Sequence, residues 1–369
     1  MADVDAGAFA NRLSHFVLRM KVEVAVTRRR SRTSDTTIRT VAAEAGVSLM
    51  TVSNVVNSRF DQMSSRTRLR VERVIDKLNY RPHQVARNLR RSEHLAIGLL
   101  FIDDEATFIT HPGHSHVVSG LSGFLNEKGY SLTLQGLDPK RLAEALPIKH
   151  IGTDALCIVQ SGTPERRLRT LRAISALSQP CVLIHETSAP SGLDFCCIRE
   201  DDHSGGRMVA EHLIDRGCRN LLLLLPATIW ASMEERARGV NAVCRERKVP
   251  VATIRTKTPR VEDATEALNR YFAAHEIPHG IVAGNDHLGI GALKFLADKN
   301  LAVPSRVRVT GFNAFEFWKY SKPRLTTVRT PAEQLGIRAG EELVRRLTVG
   351  QFSASNIVLP VELIIGAST

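Results

Sequence analysis

The sequence lacks the features of membrane-spanning, secreted and disulfide-bonded proteins. Its longest apolar runs, such as Leu221–Ala227 and Leu95–Ile102, fall far short of the roughly 20 residues that a transmembrane helix needs. The first 20 residues contain acidic side chains and no sustained apolar stretch, so no secretion signal is predicted. The six cysteines show no Cys-x-x-Cys spacing, which indicates free or buried thiols in a reducing compartment. We therefore expect a cytoplasmic protein with no membrane partner.

Signatures of enzymes are missing as well. The sequence has no nucleophile elbow of the form Gly-x-Ser-x-Gly, no phosphate-binding P-loop and no Gly-x-Gly-x-x-Gly fingerprint. We therefore predict that the protein is not an enzyme, with no catalytic residues and no cofactor.

Three histidines, His111, His114 and His116, lie within six residues and could indicate a zinc site. No cysteine lies nearby in the sequence, however, and Pro112-Gly113 predicts a turn instead of a helix face. We favour a ligand contact or a solvated loop here and predict no metal. A metal-dependent enzyme built on this stretch is an alternative that a stoichiometric zinc would revive.

Positive charge is concentrated in the first quarter of the chain. The formal net charge is +12, yet residues 1–92 hold 18 Lys and Arg against 8 Asp and Glu, whereas residues 93–369 hold 32 against 30. A basic N-terminal module on a nearly neutral body predicts that the first part meets a polyanion. The alternative is a basic tail that only increases solubility. Residues 1–35 form a basic extension, interpreted either as an arm that adds phosphate contacts or as a segment without function.

Three short apolar stripes at helical spacing predict a helix-turn-helix in residues 36–81. Gly46 permits a tight turn between the first two helices, and Ser48 and Ser64 can cap the second and third. The valines of the second helix fall on one side. Burying them leaves the opposite face, residues 49, 50, 53 and 54, available to a DNA major groove.

Residues 82–92 predict one further short helix. Pro82 suits its first turn, where the missing N–H group costs nothing. A helix of about two turns is marginal in isolation, so we expect it to fold only against a partner.

From residue 95 onward, strand-like apolar runs alternate with helical stretches. The predicted strands are Leu95–Ile102, Ser131–Leu134, Ala155–Val159, Cys181–Ile184, Leu221–Leu225, Val251–Ile254, Gly280–Ala283 and Val307–Phe312. The predicted helices include His116–Lys128, Gly206–Arg216 and Leu288–Lys299. This alternation predicts an α/β core of two doubly wound parallel sheets, with a ligand at the carboxyl ends of their strands.

The stretch at residues 41–57, VAAEAGVSLMTVSNVVN, resembles the DNA-binding headpiece signature of the LacI/GalR (lactose-repressor) family. LNYRP at 78–82 and ARNL at 86–89 are similar to the hinge helix of that family. Shorter strings resemble its effector domain: DDHSGGR at 201–207, RARG at 236–239, ND at 285–286, VP at 303–304, GFN at 311–313 and PRLTTV at 323–328. The headpiece string is the most specific of these, and the shorter strings gain weight because they occur in order.

The resemblance implies a homodimeric transcriptional repressor that binds double-stranded operator DNA and is controlled by a small-molecule effector, a sugar or sugar acid. It implies an all-α headpiece at 36–81, a hinge helix at 82–92 and a periplasmic-binding-protein-like core at 93–369. Within the core, an N-subdomain at about 95–194 and 324–352 and a C-subdomain at about 195–323 and 353–369 are expected.

For DNA recognition, the resemblance places base contacts at Leu49, Met50 and Asn54. Asparagine can bond to adenine, whereas leucine and methionine offer only apolar contact, for instance to a thymine methyl group. Many relatives carry a polar residue and an arginine at two of these positions, so an uncommon operator is expected. Ordinary helix packing is the alternative for Leu49 and Met50. Phosphate contacts and capping are assigned to Ser48, Thr51, Ser53 and Asn57.

In the hinge, Leu89 corresponds to the leucine that the family inserts into the minor groove, and Ala86 is small enough for close backbone approach. A plain linker between domains is the alternative.

For the effector, the resemblance assigns the main polar contacts to Arg236 and Asp286, because an arginine fork and a carboxylate can hold the hydroxyl groups of a sugar. Asn313 stands where many relatives carry aspartate. Together with His185, this favours a sugar acid or a phosphorylated sugar over a neutral sugar. The predicted set also contains Asp201.

Two aromatic residues, Phe108 and Trp230, are candidates for stacking on the apolar face of the ligand, with ordinary core packing as the alternative. A soluble sugar-binding protein with the same core is a second possible function. The headpiece string and the uneven charge favour the repressor.

Overall fold

The computed structural model describes residues 37–56, 59–60, 63–78, 80, 95–104, 111–141, 152–228 and 230–369. The chain divides into two compact units, residues 1–87 and residues 88–369. We refer to the described part of the first as the headpiece and to the second as the core. Across the described residues, no helix combines the length and the apolar composition needed to cross a membrane.

The headpiece contains three helices: α1 (Ile38–Ala45), α2 (Leu49–Val56) and α3 (Ser65–Lys77). The side chain of Ser48 accepts a hydrogen bond from the backbone N–H of Thr51, and that of Ser64 accepts one from Thr67. Both caps agree with the sequence-based prediction. Gly46 ends α1 at φ 60°, a left-handed conformation that glycine adopts without steric cost.

The headpiece packs around a small core in which the fully buried side chains are all valine or alanine. They are Val41, Ala42, Ala45, Val52, Val55 and Val71. The valines of α2 face inward, as their spacing predicts, and the larger apolar side chains Leu49 and Met50 face outward with 46% and 69% of their surface exposed.

The first sheet of the core has six parallel strands in the order β11-β5-β4-β3-β1-β2. Its strands are β1 (Ala96–Ile102), β2 (Ser131–Leu137), β3 (Ala155–Gln160), β4 (Cys181–Ile184), β5 (Phe195–Glu200) and β11 (Asn356–Leu359). The helices described in this half are α4 (Pro112–Glu127), α5 (Pro164–Ser175) and α10 (Ala332–Val349).

The second sheet has four parallel strands in the order β7-β6-β8-β9. Its strands are β6 (Leu221–Pro226), β7 (Val251–Thr256), β8 (Gly280–Ala283) and β9 (Arg308–Thr310). The helices of this half are α6 (Asp202–Asp215), α7 (Ala231–Glu246), α8 (Val261–Phe272) and α9 (Asp286–Asp298). A short antiparallel pair completes the core: β10 (Thr327–Arg329) and β12 (Glu362–Ile364).

The central strands β1, β3, β4, β6 and β8 are buried along their whole length. Helices cover both faces of a doubly wound sheet, so such strands read as continuous apolar runs. This is why the runs in the sequence located them correctly, and the predicted fold class is confirmed.

Two predictions about the core are wrong in detail. The strands β5 and β11 pair within the first sheet, so the chain crosses between the halves after residues 200 and 359, later than the expected boundaries near 195 and 353. The expected turn at Pro112-Gly113 is instead the first turn of α4, with His111 as its N-cap. Proline fits there because the first N–H groups of a helix have no partner within the helix.

Candidate functional site

A cavity of about 230 Å³ lies where the carboxyl ends of the two parallel sheets of the core meet. Its walls come from the segments that follow β1, β4 and β5 in one half and β6, β8 and β9 in the other. Its lining includes His111, His114, His185, Glu200, Trp230, Arg236, Asn285, His287, Asn313 and Phe315. The cavity therefore occupies the position in which open α/β sheets bind ligands.

Arg236 extends from the second turn of α7 and is buried. Its Nε donates a hydrogen bond to Oδ1 of Asp202 at 2.7 Å, and its Nη1 donates one to the carbonyl oxygen of Gly284 at 2.7 Å. The guanidinium carbon lies 3.8 Å from the centroid of the Phe312 ring. These contacts fix the plane of the guanidinium group, so it is held ready at the cavity wall.

Two glycines explain why α7 can bring Arg236 so close to Asp202. A Cβ atom on Gly206 of α6 would collide with the carbonyl oxygen of Arg236, and one on Gly239 of α7 would collide with that of His203. The two helices therefore pack backbone against backbone. This close approach gives a structural reason for the glycines in the DDHSGGR and RARG strings.

A second buried charge pair lies beside the first. Nδ1 of His185 lies 2.7 Å from Oε2 of Glu200. Burial disfavours the imidazolium, but the carboxylate of Glu200 outweighs it and raises the pKa of His185. Burial likewise opposes ionisation of Glu200, and the charge of His185 reverses this and lowers its pKa. Burial raises the pKa of Asp202 to about 6, although Arg236 pulls it down.

His185, Glu200 and Asp202 bring one nitrogen and two carboxylates within 4.8 Å of one another, which is a geometry that a metal ion could use. Their charges, however, are already paired, His185 with Glu200 and Asp202 with Arg236. The guanidinium group next to Asp202 would also repel a cation. The arrangement is therefore better described as two linked ion pairs than as a metal centre.

An aromatic wall closes another side of the cavity. The ring of His114 lies 4.7 Å from that of Phe101 and 5.3 Å from that of Trp230, and the ring of His111 lies 4.8 Å from that of His114 (centroid distances). Burial lowers the pKa of His111 to about 3, so this histidine is neutral at physiological pH. The aromatic wall offers a flat apolar surface on which a ligand ring can stack.

The predicted effector residues fall into three groups. Trp230, Arg236 and Asn313 line the cavity together. Asp201 and Asp286 do not line it, which is a correction to their predicted direct contact: Asp201 caps α6 through the N–H of Ser204, and the Asp286 carboxylate accepts a hydrogen bond from the hydroxyl of Thr327. Phe108 lies outside the described residues.

Sequence reasoning missed Asn285 as a cavity residue. Its Oδ1 caps α9 by accepting a hydrogen bond from the N–H of Leu288 at 2.9 Å, and the residue is buried. Its Nδ2 has no hydrogen-bond partner among the described residues, although this atom is inaccessible to solvent. A buried donor without a partner at a cavity wall is suited to a ligand acceptor. The ND string at 285–286 contains Asn285, but the family resemblance assigned the effector contact to Asp286.

Other lining residues that sequence reasoning did not assign to the effector are Glu200, His287 and Phe315. They follow strands that are distant in sequence, and no local pattern marks them. The histidine-rich stretch was interpreted as either a ligand contact or a solvated loop. Its position at the start of α4 puts His111 and His114 in the cavity wall.

The DNA-facing residues predicted in the headpiece lie on one surface of α2. Leu49 and Met50 are exposed, and Ser53 and Asn54 are partly exposed, on the side opposite the buried Val52. Ser48 and Thr51 are joined by the N-terminal cap of α2. The remaining predicted contacts, Asn57, Ala86 and Leu89, lie outside the described residues.

Comparison with known proteins matches both parts of the chain. Residues 37–83 match the model of bacterial regulatory proteins, lacI family, and residues 210–369 match that of a periplasmic binding protein-like domain. The chain is 27% identical over 329 residues to the ribose operon repressor of Bacillus subtilis (strain 168), covering 88% of this chain and 96% of that protein. It is 28% identical over 345 residues to the HTH-type transcriptional repressor PurR of Haemophilus influenzae (strain PittEE), covering 90% and 98%.

Among solved structures, the chain is similar to the lac repressor dimer bound to operator and the anti-inducer ONPF. The TM-score is 0.78 at 23% identity, covering 90% of this chain and 98% of that one. At this identity the similarity establishes the fold.

Proposed function

We propose that this chain is a transcriptional repressor of the lacI type, whose affinity for operator DNA is set by a small ligand in the core cavity. The protein acts in the cytoplasm as a homodimer on a double-stranded operator with two half-sites. The ligand is a polar molecule, a sugar or sugar acid. The hinge at 82–92 inserts Leu89 into the minor groove, with Ala86 at the point of close approach.

The DNA-binding part of the proposal is supported by the surface of α2. Two large apolar side chains, Leu49 and Met50, are exposed beside Asn54 on a helix whose other face packs the headpiece core. Exposed apolar side chains next to an amide are suited to thymine methyl groups and adenine edges. Ser48, Thr51, Ser53 and Asn57 are assigned to the flanking phosphate groups.

Two exposed leucines of the headpiece allow a matched test. Leu49 on α2 is 46% exposed and Leu69 on α3 is 51% exposed. An operator is first selected from random duplexes with the full-length protein. Leu49→Ala should then weaken binding to that operator by about 1–3 kcal/mol and leave binding to random DNA unchanged, whereas Leu69→Ala should change neither. Equal losses for the two variants would contradict base reading by α2.

The charge of the headpiece predicts how operator binding responds to salt. Each phosphate neutralised by Lys or Arg contributes nearly one unit to the slope of log affinity against log salt concentration. Operator affinity should fall steeply between low and physiological salt, and ligand affinity of the core should hardly change. A flat profile for operator binding would contradict the proposal.

The effector part rests on one observation: the immobilised Arg236 and Asn285, whose buried Nδ2 has no partner among the described residues, line the same cavity together with an aromatic wall. Two sets of donors and a flat apolar surface can hold the hydroxyl groups and the apolar face of one sugar ring. Trp230 provides the stacking surface, and Asn313 provides a further amide. Asp201 and Asp286 support the site from behind, through α6 and α9.

Arg236→Lys and Arg238→Lys form a matched pair on the same helix. Lysine keeps the positive charge beside Asp202 but loses the planar fork, so Arg236→Lys should weaken ligand binding by about tenfold or more. Arg238 is 65% exposed and pairs with Glu235, so Arg238→Lys should bind as the unaltered protein does. Calorimetry with a panel of sugars and sugar acids measures both.

If the ligand controls repression, its affinity must differ between free and operator-bound protein by the same factor as it changes operator affinity. Repeating the titration with operator present tests this reciprocity. Equal ligand affinity of free and operator-bound protein would show that the ligand in this cavity does not regulate operator binding.

A further inference from the structure

The buried charges at the cavity wall form matched pairs. Arg236 and Asp202 are joined at 2.7 Å with 6% and 2% of their side chains exposed. His185 and Glu200 are joined at 2.7 Å with 17% and 3% exposed. Each cation therefore already has a carboxylate partner before any ligand binds.

Two further histidines of the lining, His111 and His287, add no positive charge. Burial lowers the pKa of His111 to about 3 and also lowers that of His287, so both imidazoles are neutral at physiological pH. Asp103 adds a carboxylate to the lining, and Asp286 lies behind it. Arg260 lines the cavity too, but it is exposed to solvent. The two buried cations of the lining, Arg236 and His185, therefore each have an anionic partner.

This balance matters because an anion loses its hydration when it enters a closed site. Without an uncompensated cation to receive it, a carboxylate or phosphate that enters the site loses hydration energy that no contact restores. Hydroxyl groups need only hydrogen-bond partners, and the site supplies them. The Nδ2 of Asn285 and the Nδ1 of His111 are both buried and have no partner among the described residues.

We propose that the cavity selects an uncharged polyhydroxylated ligand, and that Asp202 sets this selectivity by neutralising Arg236. The inference rests on the proposed function, in which this cavity holds the effector. It reverses the expectation of a sugar acid, which was drawn from His185 and Asn313. His185 provides no unpaired positive charge, because it forms an ion pair with Glu200. Asn313 lacks the negative charge of the aspartate that many relatives carry, but Glu200 and Asp202 supply negative charge beside the cavity.

Asp202 is a positioning residue and does not itself line the cavity. It lies in the first turn of α6, directly after the chain leaves β5, and the glycine contacts between α6 and α7 hold it against Arg236. Arg236 cannot leave this partner without leaving a buried carboxylate uncompensated. The negative charge of Asp202 therefore determines whether Arg236 can attract an anionic ligand.

Trp230 provides a direct readout, since Trp230 and Trp318 are the only tryptophans of the chain and Trp230 lines the cavity. In a Trp318→Phe background, its fluorescence is titrated with matched pairs, D-glucose with D-glucuronate and D-galactose with D-galacturonate, and separately with inorganic phosphate. The Trp318→Phe protein should bind each neutral sugar at least about tenfold more tightly than its acid and should not respond to phosphate.

Asp202→Asn removes one negative charge and keeps an oxygen that can accept the Arg236 hydrogen bond. In this variant the acids should gain about tenfold or more in affinity relative to the neutral sugars, and phosphate should now change the fluorescence. Asp215→Asn is the matched control on the same helix, because Asp215 is exposed and pairs with Arg247. It should behave as its Trp318→Phe parent does.

A pH series makes the same comparison without altering Asp202. Arg236 of α7, Glu200 of β5 and His185 after β4 face Asp202, and its pKa is raised to about 6. Protonation below that pH frees the charge of Arg236, and protonation of Asp286, His111 or His287 acts in the same direction. Acid sugars should therefore bind more tightly at about pH 5.5 than at about pH 7.5, whereas neutral sugars should not.

Tighter binding of an acid than of its neutral partner by the Trp318→Phe protein, or an unchanged acid-to-neutral ratio in Asp202→Asn, would overturn the inference. A panel in which no sugar of either kind changes the fluorescence would count against the proposed effector class instead. The phosphate titrations still decide the charge argument in that case. A response in Asp202→Asn alone supports it, and equal behaviour of the two proteins overturns it.

Discussion

The headpiece and the core differ in which side chains they expose and which they bury. In the headpiece the buried apolar side chains are valine and alanine, larger ones such as Ile75 and Leu78 are partly buried against them, and Leu49 and Met50 are exposed. The core buries leucine, isoleucine and phenylalanine in four clusters and also buries charged side chains such as Arg236 and Asp202. Buried charges are costly to folding, and adjacent exposed apolar side chains such as Leu49 and Met50 gain nothing from it, whereas a single exposed leucine such as Leu69 is ordinary.

The contrast indicates how each part meets its partner. In the proposed function, a small module with a thin core offers its outer surface to DNA. A large module can tolerate buried charge, because many apolar contacts offset the desolvation cost, and it encloses a small ligand.

The largest effect is expected when the buried pair of the core is broken. Arg236→Ala leaves the carboxylate of Asp202 buried and unpaired, which should destabilise the core by about 3–5 kcal/mol. Thermal or urea unfolding measures this. Arg247→Ala, at the C-cap of the same helix and in a pair with Asp215 that is exposed on both sides, should change the stability little. Similar losses for the two variants would remove the distinction between buried and exposed charge in the core.

The next largest effect is a pH dependence of stability that is expected from Asp286. Burial raises the pKa of this carboxyl group to about 7. The folded protein then holds this proton more tightly than the unfolded chain, whose aspartate titrates near 4. Stability contributed by the protonated group is complete below about pH 4 and is lost as pH rises through about 7.

Asp286→Asn should therefore gain stability relative to the unaltered protein as pH rises from about 4 to 8, by at most about 4 kcal/mol. Denaturant unfolding at several pH values gives the difference. Asp298→Asn, at an exposed pair with Lys294 on the same helix, should show no such trend. Parallel pH profiles for Asp286→Asn and the unaltered protein would contradict the raised pKa.

A smaller loss is expected in the headpiece core. Val52→Ala removes two buried methyl groups from a site with no exposed surface and should destabilise the headpiece by about 2 kcal/mol. Operator binding should fall with it, while sugar binding by the core should stay the same. Val56→Ala, at a half-buried position of the same helix, should cost clearly less. A drop in sugar affinity for Val52→Ala would show that the two functions are not separable.

The smallest effect is expected at an exposed pair of the headpiece. Nζ of Lys77 and Oε1 of Glu44 lie 2.8 Å apart, with 67% and 46% of their side chains exposed. Their hydrogen bond lowers the pKa of Glu44 and raises that of Lys77. Solvent and salt screen such a pair, so Glu44→Gln should leave headpiece stability within the error of an unfolding experiment. A measurable loss of stability would show that this exposed pair also stabilises the fold, as the buried pair of Arg236 and Asp202 does.

The elements that the sequence located correctly are those with a strong local signal. The caps at Ser48 and Ser64 and the turn at Gly46 follow from side-chain chemistry within a few residues. The strands Cys181–Ile184 and Gly280–Ala283 were predicted with their observed bounds, because both lie fully buried inside parallel sheets.

Four strands had no such signal and were missed. The strand β5 ends in Arg199 and Glu200 and so breaks its apolar run, and β11 alternates exposed and half-buried positions at the sheet edge. The strands β10 and β12 are three residues each and exist through pairing with one another. Their partners lie far away in sequence, so only the assembled sheet defines them.

By itself, the sequence determined the helix-turn-helix, the alternation of strands and helices, and the placing of Arg236 and Asn313 at one site, because each rests on local spacing or on a family string. Tertiary structure decided which charges meet. His185, Glu200, Asp202 and Arg236 come from four elements, and two glycine contacts between helices bring the last two together. Electrostatic pairing depends on distance and burial in space, and neither quantity is carried by the order of residues along the chain.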